Sequence, residues 1–328
     1  MTVTTTVAGT GSYLPAETLT NNQLANRLGI DEQWILDKTG IKERRVAAAG
    51  EVTSDLAAKA AEQALADADV AASDVDVLIV ATVTPDQTIP ATACFVQSKI
   101  GAVGASAFDI AAGCSGFVFA LEMAHDILVA NPRRDTALVI GAEVFSRVMD
   151  YSDKRTCVIF GDGAGAVLLR KTDSGPGIVT TYTTSDGSNA DLAYIEAGGA
   201  RIPTSVETVA SAQHYVRMHG REIRTIVVEE LPKLVSTLLN QANISIDQIG
   251  LIVPHQVNGV MLDQWPEILG IPSQLIYRTV SWSGNTGAAS IPVALDDAAR
   301  KAKFAKGDLA MFVTFGAGLT LGGAIIKW

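Results

Sequence analysis

Val158-Ile159-Phe160-Gly161-Asp162-Gly163-Ala164-Gly165-Ala166-Val167-Leu168 and Phe312-Val313-Thr314-Phe315-Gly316-Ala317-Gly318-Leu319-Thr320-Leu321-Gly322 are two versions of one pattern. Each reads as an apolar strand, a glycine turn and a second apolar strand. They close the two halves of a 328-residue chain. Working outward, a second pair emerges. Gly113-Cys114-Ser115-Gly116 opens an apolar helix expected over Val118 to Ala130, and Gly284-Asn285-Thr286-Gly287-Ala288-Ala289-Ser290 opens a comparable helix running to about Ala302. A third pair lies further out. An alanine-rich helix over Ser54 to Asp67 leads through a short acidic link to a strand ending at Val80; a helix over Val227 to Gln241 leads in the same way to Leu251-Ile252-Val253. Three pairs in the same order imply an internal duplication, with halves 1–172 and 173–328. Alternating helix and strand place the chain in the α/β class. The duplication relates the helix starts at Cys114 and Asn285 by pseudo-symmetry and lets them converge on one central site.

Composition narrows the function. Hydrophobic residues make up 48% and charged residues 18% of the chain, enough for a large buried core. The net charge of −10 disfavours nucleic acid, which needs clustered Lys and Arg. Cys94, Cys114 and Cys157 are far apart and form no CxxC spacing, so neither a disulfide framework nor a zinc site is expected. The first residues carry no basic start and no long apolar run, so no signal peptide is expected. No apolar segment is expected to span a membrane. These features fit a cytoplasmic protein.

Chemistry centres on Cys114. At the start of a helix a thiol meets unpaired N–H groups and the positive end of the helix dipole, both of which favour the thiolate. The alternative is a cysteine packed as a small hydrophobe. A cysteine nucleophile needs a partner that manages protons or developing charge. Of four histidines, His125 lies on the flank of the Cys114 helix, and His214 and His219 lie in a polar stretch with Arg217 and Arg221. His255 directly follows an apolar strand, at the end where open α/β sheets form ligand sites. Asn285 fits a helix N-cap by itself. Taken with Cys114 and His255 it adds a second neutral donor. A nucleophile with paired donors suits thioester chemistry, with the sulfur taking an acyl group and the donors holding an enolate or oxyanion.

Five segments in order, Trp34 to Arg44, Ala112 to Gly116, Phe160 to Ala166, His255 to Asn258 and Gly284 to Ser290, make the chain resemble the type III β-ketoacyl-acyl-carrier-protein synthases of the thiolase-fold superfamily. Trp34-Ile35-Leu36-Asp37-Lys38-Thr39-Gly40-Ile41-Lys42-Glu43-Arg44 is similar to the family's early segment. Ala112-Gly113-Cys114-Ser115-Gly116 resembles the nucleophile motif and Phe160-Gly161-Asp162-Gly163-Ala164-Gly165-Ala166 the glycine turn. His255-Gln256-Val257-Asn258 and Gly284-Asn285-Thr286-Gly287-Ala288-Ala289-Ser290 resemble the histidine and asparagine motifs. The resemblance spans essentially the whole chain. It implies a five-layered αβαβα fold, a homodimer, and no metal or redox cofactor. It also implies that acyl-CoA loads Cys114, after which His255 and Asn285 promote decarboxylation of a malonyl thioester. The resulting carbanion attacks the acyl-cysteine to give a β-ketoacyl thioester for fatty-acid or polyketide initiation. Position-matching further implies an oxyanion hole from the N–H groups of Cys114 and Gly318. It gives CoA contacts from Trp34, Lys38, Lys154, Arg221 and Asn258, and an acyl pocket walled by Ile89, Phe145 and Phe160, with Ile89 reaching across the dimer.

The chain departs from the family beside the expected tunnel mouth. Val260 stands where family members carry an arginine, and Ser281-Trp282-Ser283 replaces a run with a basic residue. An acidic carrier protein loses attraction there. Exposed pairs contribute only about 1 kcal/mol or less, so acyl carrier protein stays a candidate partner. A second reading keeps the acyl-cysteine but passes the acyl group to a hydroxyl, amine or other small molecule. A third is a non-catalytic scaffold. A hydroxymethylglutaryl-CoA-synthase-like reaction is disfavoured, because Val83-Thr84-Pro85-Asp86 offers no glutamate.

Overall fold

The computed structural model describes residues 3–173 and 175–328. Five strands form the first sheet, in the spatial order Thr4–Tyr13, Gly163–Thr172, Thr136–Glu143, Val77–Ala81, Ser106–Ile110. The first two contacts are antiparallel and the last two parallel. The second sheet runs Gly177–Ser185, Thr320–Lys327, Leu309–Gly316, Ile249–Pro254, with contacts antiparallel, antiparallel and parallel. Both sheets follow one scheme. An isolated parallel bridge from Ile252 to Ile276 stands where a fifth strand would continue the second sheet.

Alternating side chains on each strand create the layers. Val77, Ile79 and Ala81 face a central core, whereas Leu78 and Val80 face an outer one. Ala310 and Phe312 face the same central core from the other side, and Met311, Val313 and Phe315 a third core. Between the sheets lie the helices Gly116–Ala130 and Ser290–Arg300, contributing Phe117, Leu121, Ile291 and Leu295 to the shared core. Outer layers come from Thr53–Asp67 and Thr92–Ile100 on one sheet and from Gly220–Ala242 on the other. The result is the five-layered αβαβα arrangement. Buried Asp296 ties the halves together, accepting bonds from Thr10 Oγ1 (2.9 Å) and Ser12 Oγ (2.6 Å).

Three sequence expectations need correction. Gly113–Ala130 does reach the length and apolarity of a membrane span. Its Phe117, Val118, Ala120, Leu121, Ala124 and Leu128 are fully buried between the sheets, so it serves here as the central core helix. Val158 to Phe160 is not the first strand of a hairpin. The antiparallel partner of Gly163–Thr172 is Thr136–Glu143, and the intervening segment is a series of turns with one bridge, Phe160 to Asn285. The downstream stretch is a true hairpin, from Leu309–Gly316 to Thr320–Lys327. Finally, Asn285 is not the N-cap of a long helix; a short 3₁₀ turn, Gly287–Ala289, separates it from Ser290–Arg300.

Candidate active site

The two halves hold each other's reactive segments. Cys114 precedes Ser115, the N-cap of the core helix. Its segment is gripped by the hairpin of the second half: Thr314 Oγ1 donates to Cys114 O (3.2 Å), Thr320 Oγ1 to Ala112 O (2.9 Å), and Ser115 Oγ to Thr320 O (3.2 Å). A Cβ added to Gly316 would stand 2.6 Å from Cys114 N, so only glycine admits this approach. Reciprocally, Asn285 is gripped by the turn of the first half. Asn285 N–H donates to Ile159 O and Gly161 N–H to Asn285 O, both at 3.0 Å.

Cys114, His255 and Asn285 meet on one cavity of about 330 Å³. Val83, Phe145, Phe160, Phe315 and Leu319 supply apolar walls, and the small antiparallel pair Ala193–Ile195 and Val216–Met218 covers it. Phe145 and Phe160 pack with ring centroids 4.6 Å apart.

His255 is buried. Its backbone N–H continues the ladder to Val313 O (2.8 Å), which fixes where the ring emerges from the strand end. Nδ1 lies 2.7 Å from Ser290 Oγ, and the ring meets Phe315 edge-on at 5.5 Å. With Ser290 as the donor, the proton is on Nε2, which has no protein partner among the described residues. Burial pushes the imidazolium pKa down to about 3, so the ring is neutral at physiological pH. Asn285 Oδ1 accepts from Gly287 N–H (2.8 Å), which leaves Nδ2 a donor with no partner among the described residues on a side chain that lines the cavity.

The thiol contradicts the expectation of a stabilised thiolate. Burial pushes Cys114 up to about 12, and the Glu143 carboxylate adds to the rise. The residue keeps some exposure, but to the cavity. Sulfur in an apolar enclosure is poorly solvated as an anion, and this outweighs the helix start.

The oxyanion expectation also shifts by one residue. Gly318 does not line the cavity, whereas Ala317 does, and Ala317 N lies 2.6 Å from where a Cβ on Gly113 would sit. Among the described residues the Ala317 N–H donates to no protein group, and the Cys114 N–H to none but its own sulfur.

The remaining predicted residues do not line the cavity. Lys154 Nζ lies 5.1 Å from the Trp34 ring centroid. Lys38 and Arg221 are exposed, and neither forms an ion pair among the described residues. Asn258 has structural work of its own: Oδ1 caps Met261 N–H, and Nδ2 donates to Lys38 O at 3.1 Å. Ile89 is 82% exposed and does not reach its own chain's cavity. Arg217 is taken up by Asp150 and Asp153, and Arg224 by Gln264. Among the described residues no cluster of metal-ligating side chains exists. Sequence reasoning missed Ser290 and Glu143, whose partners lie far away in the chain.

Residues 108–187 match the 3-oxoacyl-[acyl-carrier-protein] synthase III family profile, and residues 239–328 match the C-terminal profile of the same family. A β-ketoacyl-[acyl-carrier-protein] synthase III of Rhodospirillum rubrum is 46% identical over 327 residues, 98% of each chain. An acetoacetyl CoA synthase of a Streptomyces species is 42% identical over 324 residues, again 98% of each. The crystal structure of 3-oxoacyl-[acyl-carrier-protein] synthase III from Aquifex aeolicus aligns with a TM-score of 0.91 at 36% identity, covering 99% of this chain and 100% of that one. The fold is therefore that of the thiolase-type condensing enzymes. Within that class the chain belongs to the β-ketoacyl-[acyl-carrier-protein] synthase III family.

Proposed function

We propose that this condensing enzyme takes an acyl group from acyl-CoA onto Cys114 and joins it to a malonyl thioester. In the first half-reaction the Cys114 S–H adds to the acyl-CoA carbonyl. CoA leaves as its thiol, taking the proton, and an acyl thioester remains on Cys114. In the second, the malonyl thioester carbonyl sits against His255 Nε2–H and Asn285 Nδ2–H. Its carboxylate leaves as carbon dioxide, and the electrons pass to an enolate held by those two donors. The enolate carbon attacks the acyl-cysteine. The tetrahedral oxyanion is held by the N–H groups of Cys114 and Ala317 and collapses to a β-ketoacyl thioester. The departing Cys114 thiolate takes a proton from solvent. Neither step calls for a metal or redox cofactor.

The observation that carries this reading is the pairing of a nucleophile with two sets of free donors on one apolar cavity. Both steps build negative charge beside donors already in place, where a dry site makes each bond count for more. The alternative acceptors, a hydroxyl or an amine, are not favoured, because the named relatives are condensing enzymes. The acetoacetyl CoA synthase relative and the apolar Val260 position together support CoA as well as a carrier protein as the malonyl donor's handle. Trp34, Lys38, Lys154 and Arg221 are assigned to the CoA nucleotide and Asn258 to the pantetheine mouth.

The reading includes a homodimer across the open edge of strand Ser106–Ile110, where Phe108 and Ile110 are only half-buried. Ile89 of one protomer would then wall its partner's acyl pocket. The halves 1–172 and 173–328 are read as the duplicated units, supported by their common strand scheme. Three free cysteines suit the cytoplasm.

The test is intact-protein mass after exposure to a panel of acyl-CoAs, followed by a chase with malonyl-CoA or malonyl-carrier protein. An adduct absent from Cys114→Ala and discharged as a β-ketoacyl product supports the reading. An adduct that survives both chases refutes condensation, and no adduct with any donor refutes loading.

A further inference from the structure

Glu143 ends the strand Thr136–Glu143 behind the cavity wall, fully buried, and pairs with no cation among the described residues. A buried carboxyl of this kind needs a dense set of donors. Thr84 Oγ1 donates to Oε2 at 2.6 Å and Thr82 Oγ1 at 3.2 Å, and Val83 N–H donates to Oε1 at 3.1 Å. The Ala288 backbone N–H also acts on the carboxyl. Between them, a Cβ on Gly287 would stand 3.0 Å from Glu143 Cγ, so the 287–289 turn rests directly on this side chain.

The two segments it grips both reach the site. The 82–84 loop carries Val83, a cavity wall. The 287–289 turn carries the Gly287 N–H that holds Asn285 Oδ1 at 2.8 Å. We propose that Glu143 is a positioning residue for the condensation half-reaction, fixing the turn that aims Asn285 Nδ2 at the malonyl carbonyl oxygen. This inference rests on the condensing mechanism given above.

Glu143 has a second, opposite effect on the other half-reaction. Burial pushes the Glu143 carboxyl up to about 8, so it is mostly protonated at physiological pH and ionises above that. Once ionised it is the one charge that acts on the Cys114 thiol, because His255 is neutral. A negative charge there opposes formation of the Cys114 thiolate. A neutral replacement therefore eases deprotonation of Cys114 above about pH 8, where the wild-type carboxyl is ionised, while loosening the hold on Asn285. A purely structural role would depress both half-reactions together.

The experiment compares wild type with Glu143→Gln in single-turnover form. Loading from acetyl-CoA is followed by intact mass, and discharge of the pre-formed acyl-enzyme by malonyl-CoA is followed by carbon dioxide release. Alkylation of Cys114 by iodoacetamide is measured across pH 6 to 10. In Glu143→Gln, discharge falls about tenfold or more, as expected when one fixed donor is misaimed. Loading stays within about threefold of wild type, and the alkylation profile moves to lower pH. Thr84→Val, which removes one donor and keeps the carboxyl, slows discharge by a smaller factor and does not move the alkylation profile to lower pH. Equal loss of both half-reactions, or an unmoved alkylation profile in Glu143→Gln, overturns the inference while wild-type turnover keeps the parent mechanism. Wild type that neither loads nor condenses overturns both.

Discussion

Replacing Gly316 by alanine tests how Cys114 is held. The added Cβ would stand 2.6 Å from Cys114 N, 2.8 Å from Ser115 N and 2.9 Å from Thr320 Oγ1. Ordinary contact begins near 3.4 Å, so the hairpin and the nucleophile segment must part by about 0.8 Å. The nearest atoms are backbone, fixed by the start of a 15-residue core helix, so no rotamer change relieves the clash. Overpacking of this kind costs about 1–3 kcal/mol of stability. A displacement approaching 1 Å at a reacting centre costs on the order of 10²-fold in rate. Loading of Cys114 from acetyl-CoA should therefore fall by roughly 10²-fold, a larger loss than the stability change explains at 25 °C. Gly250→Ala is the control. It lies in the same sheet, but its Cβ would meet nothing closer than 3.6 Å. Intact-mass kinetics give the loading rate, and urea unfolding gives the stability. If Gly316→Ala keeps the wild-type midpoint and loads at the wild-type rate, the hairpin does not position Cys114 and the oxyanion argument fails with it.

Ser290→Ala removes the partner of His255 Nδ1 and lets the ring choose the other tautomer. Condensation should drop about tenfold or more while loading persists, measured by the same single-turnover pair. His255 also makes a pH prediction. With its folded-state pKa near 3, the ring stays neutral in the native protein while the unfolded chain takes up a proton below about 6.5. This part of the stability is complete above that pH and is lost as pH falls from 6.5 toward 3. Condensation should accordingly show no acid limb near 6.5, and a bell with that limb would contradict a neutral imidazole donor. Asp296→Ala strips the acceptor from Thr10, Ser12 and Arg300. It should cost about 3 kcal/mol in urea unfolding, since buried donors lose their charged partner. Val260→Arg adds a cation beside the mouth. It should raise discharge by malonyl-carrier protein, at low salt, relative to malonyl-CoA.

Much of this was legible in the sequence because local signals agreed with the tertiary outcome. The helix expected at Ser54 to Asp67 is Thr53–Asp67, and the strand ending at Val80 is Val77–Ala81. Glycine placement marked the turns that must approach other backbone. What stayed hidden was set by contact across the fold. Val158 to Phe160 reads as a strand because it is apolar, yet its hydrogen-bonding edge is claimed by Asn285 rather than by a hairpin partner. Gly318 and Ala317 are indistinguishable by position in a turn, and only the path of the hairpin decides which N–H reaches the cavity. Glu143 looks like any acidic residue at a strand end until the 82–84 loop and the 287–289 turn fold over it. The helix-start argument for a thiolate was sound locally but omitted the apolar enclosure, whose desolvation dominates.

That enclosure carries the larger argument about mechanism. Every group to which the proposed mechanism gives a catalytic role is neutral at rest: a thiol pushed up to about 12, an imidazole pushed down to about 3, an amide, and two backbone N–H groups. A resting thiolate in so apolar a cavity would be poorly stabilised. Charge appears instead only on the path, first on the tetrahedral oxygen during loading, then on the enolate, then on the second tetrahedral oxygen. In that mechanism each of these charges forms beside a donor already in place. The reciprocal grip explains why the donors stay in place. The hairpin of the second half holds the nucleophile of the first, and the turn of the first half holds the asparagine of the second. Neither half can shift its reactive residue without breaking the other's backbone bonds, so the distance between nucleophile and donors is set by the core between the sheets. A duplicated fold is suited to this chemistry for that reason: two strand ends and two helix starts meet face to face, and each supplies the constraint that the other lacks.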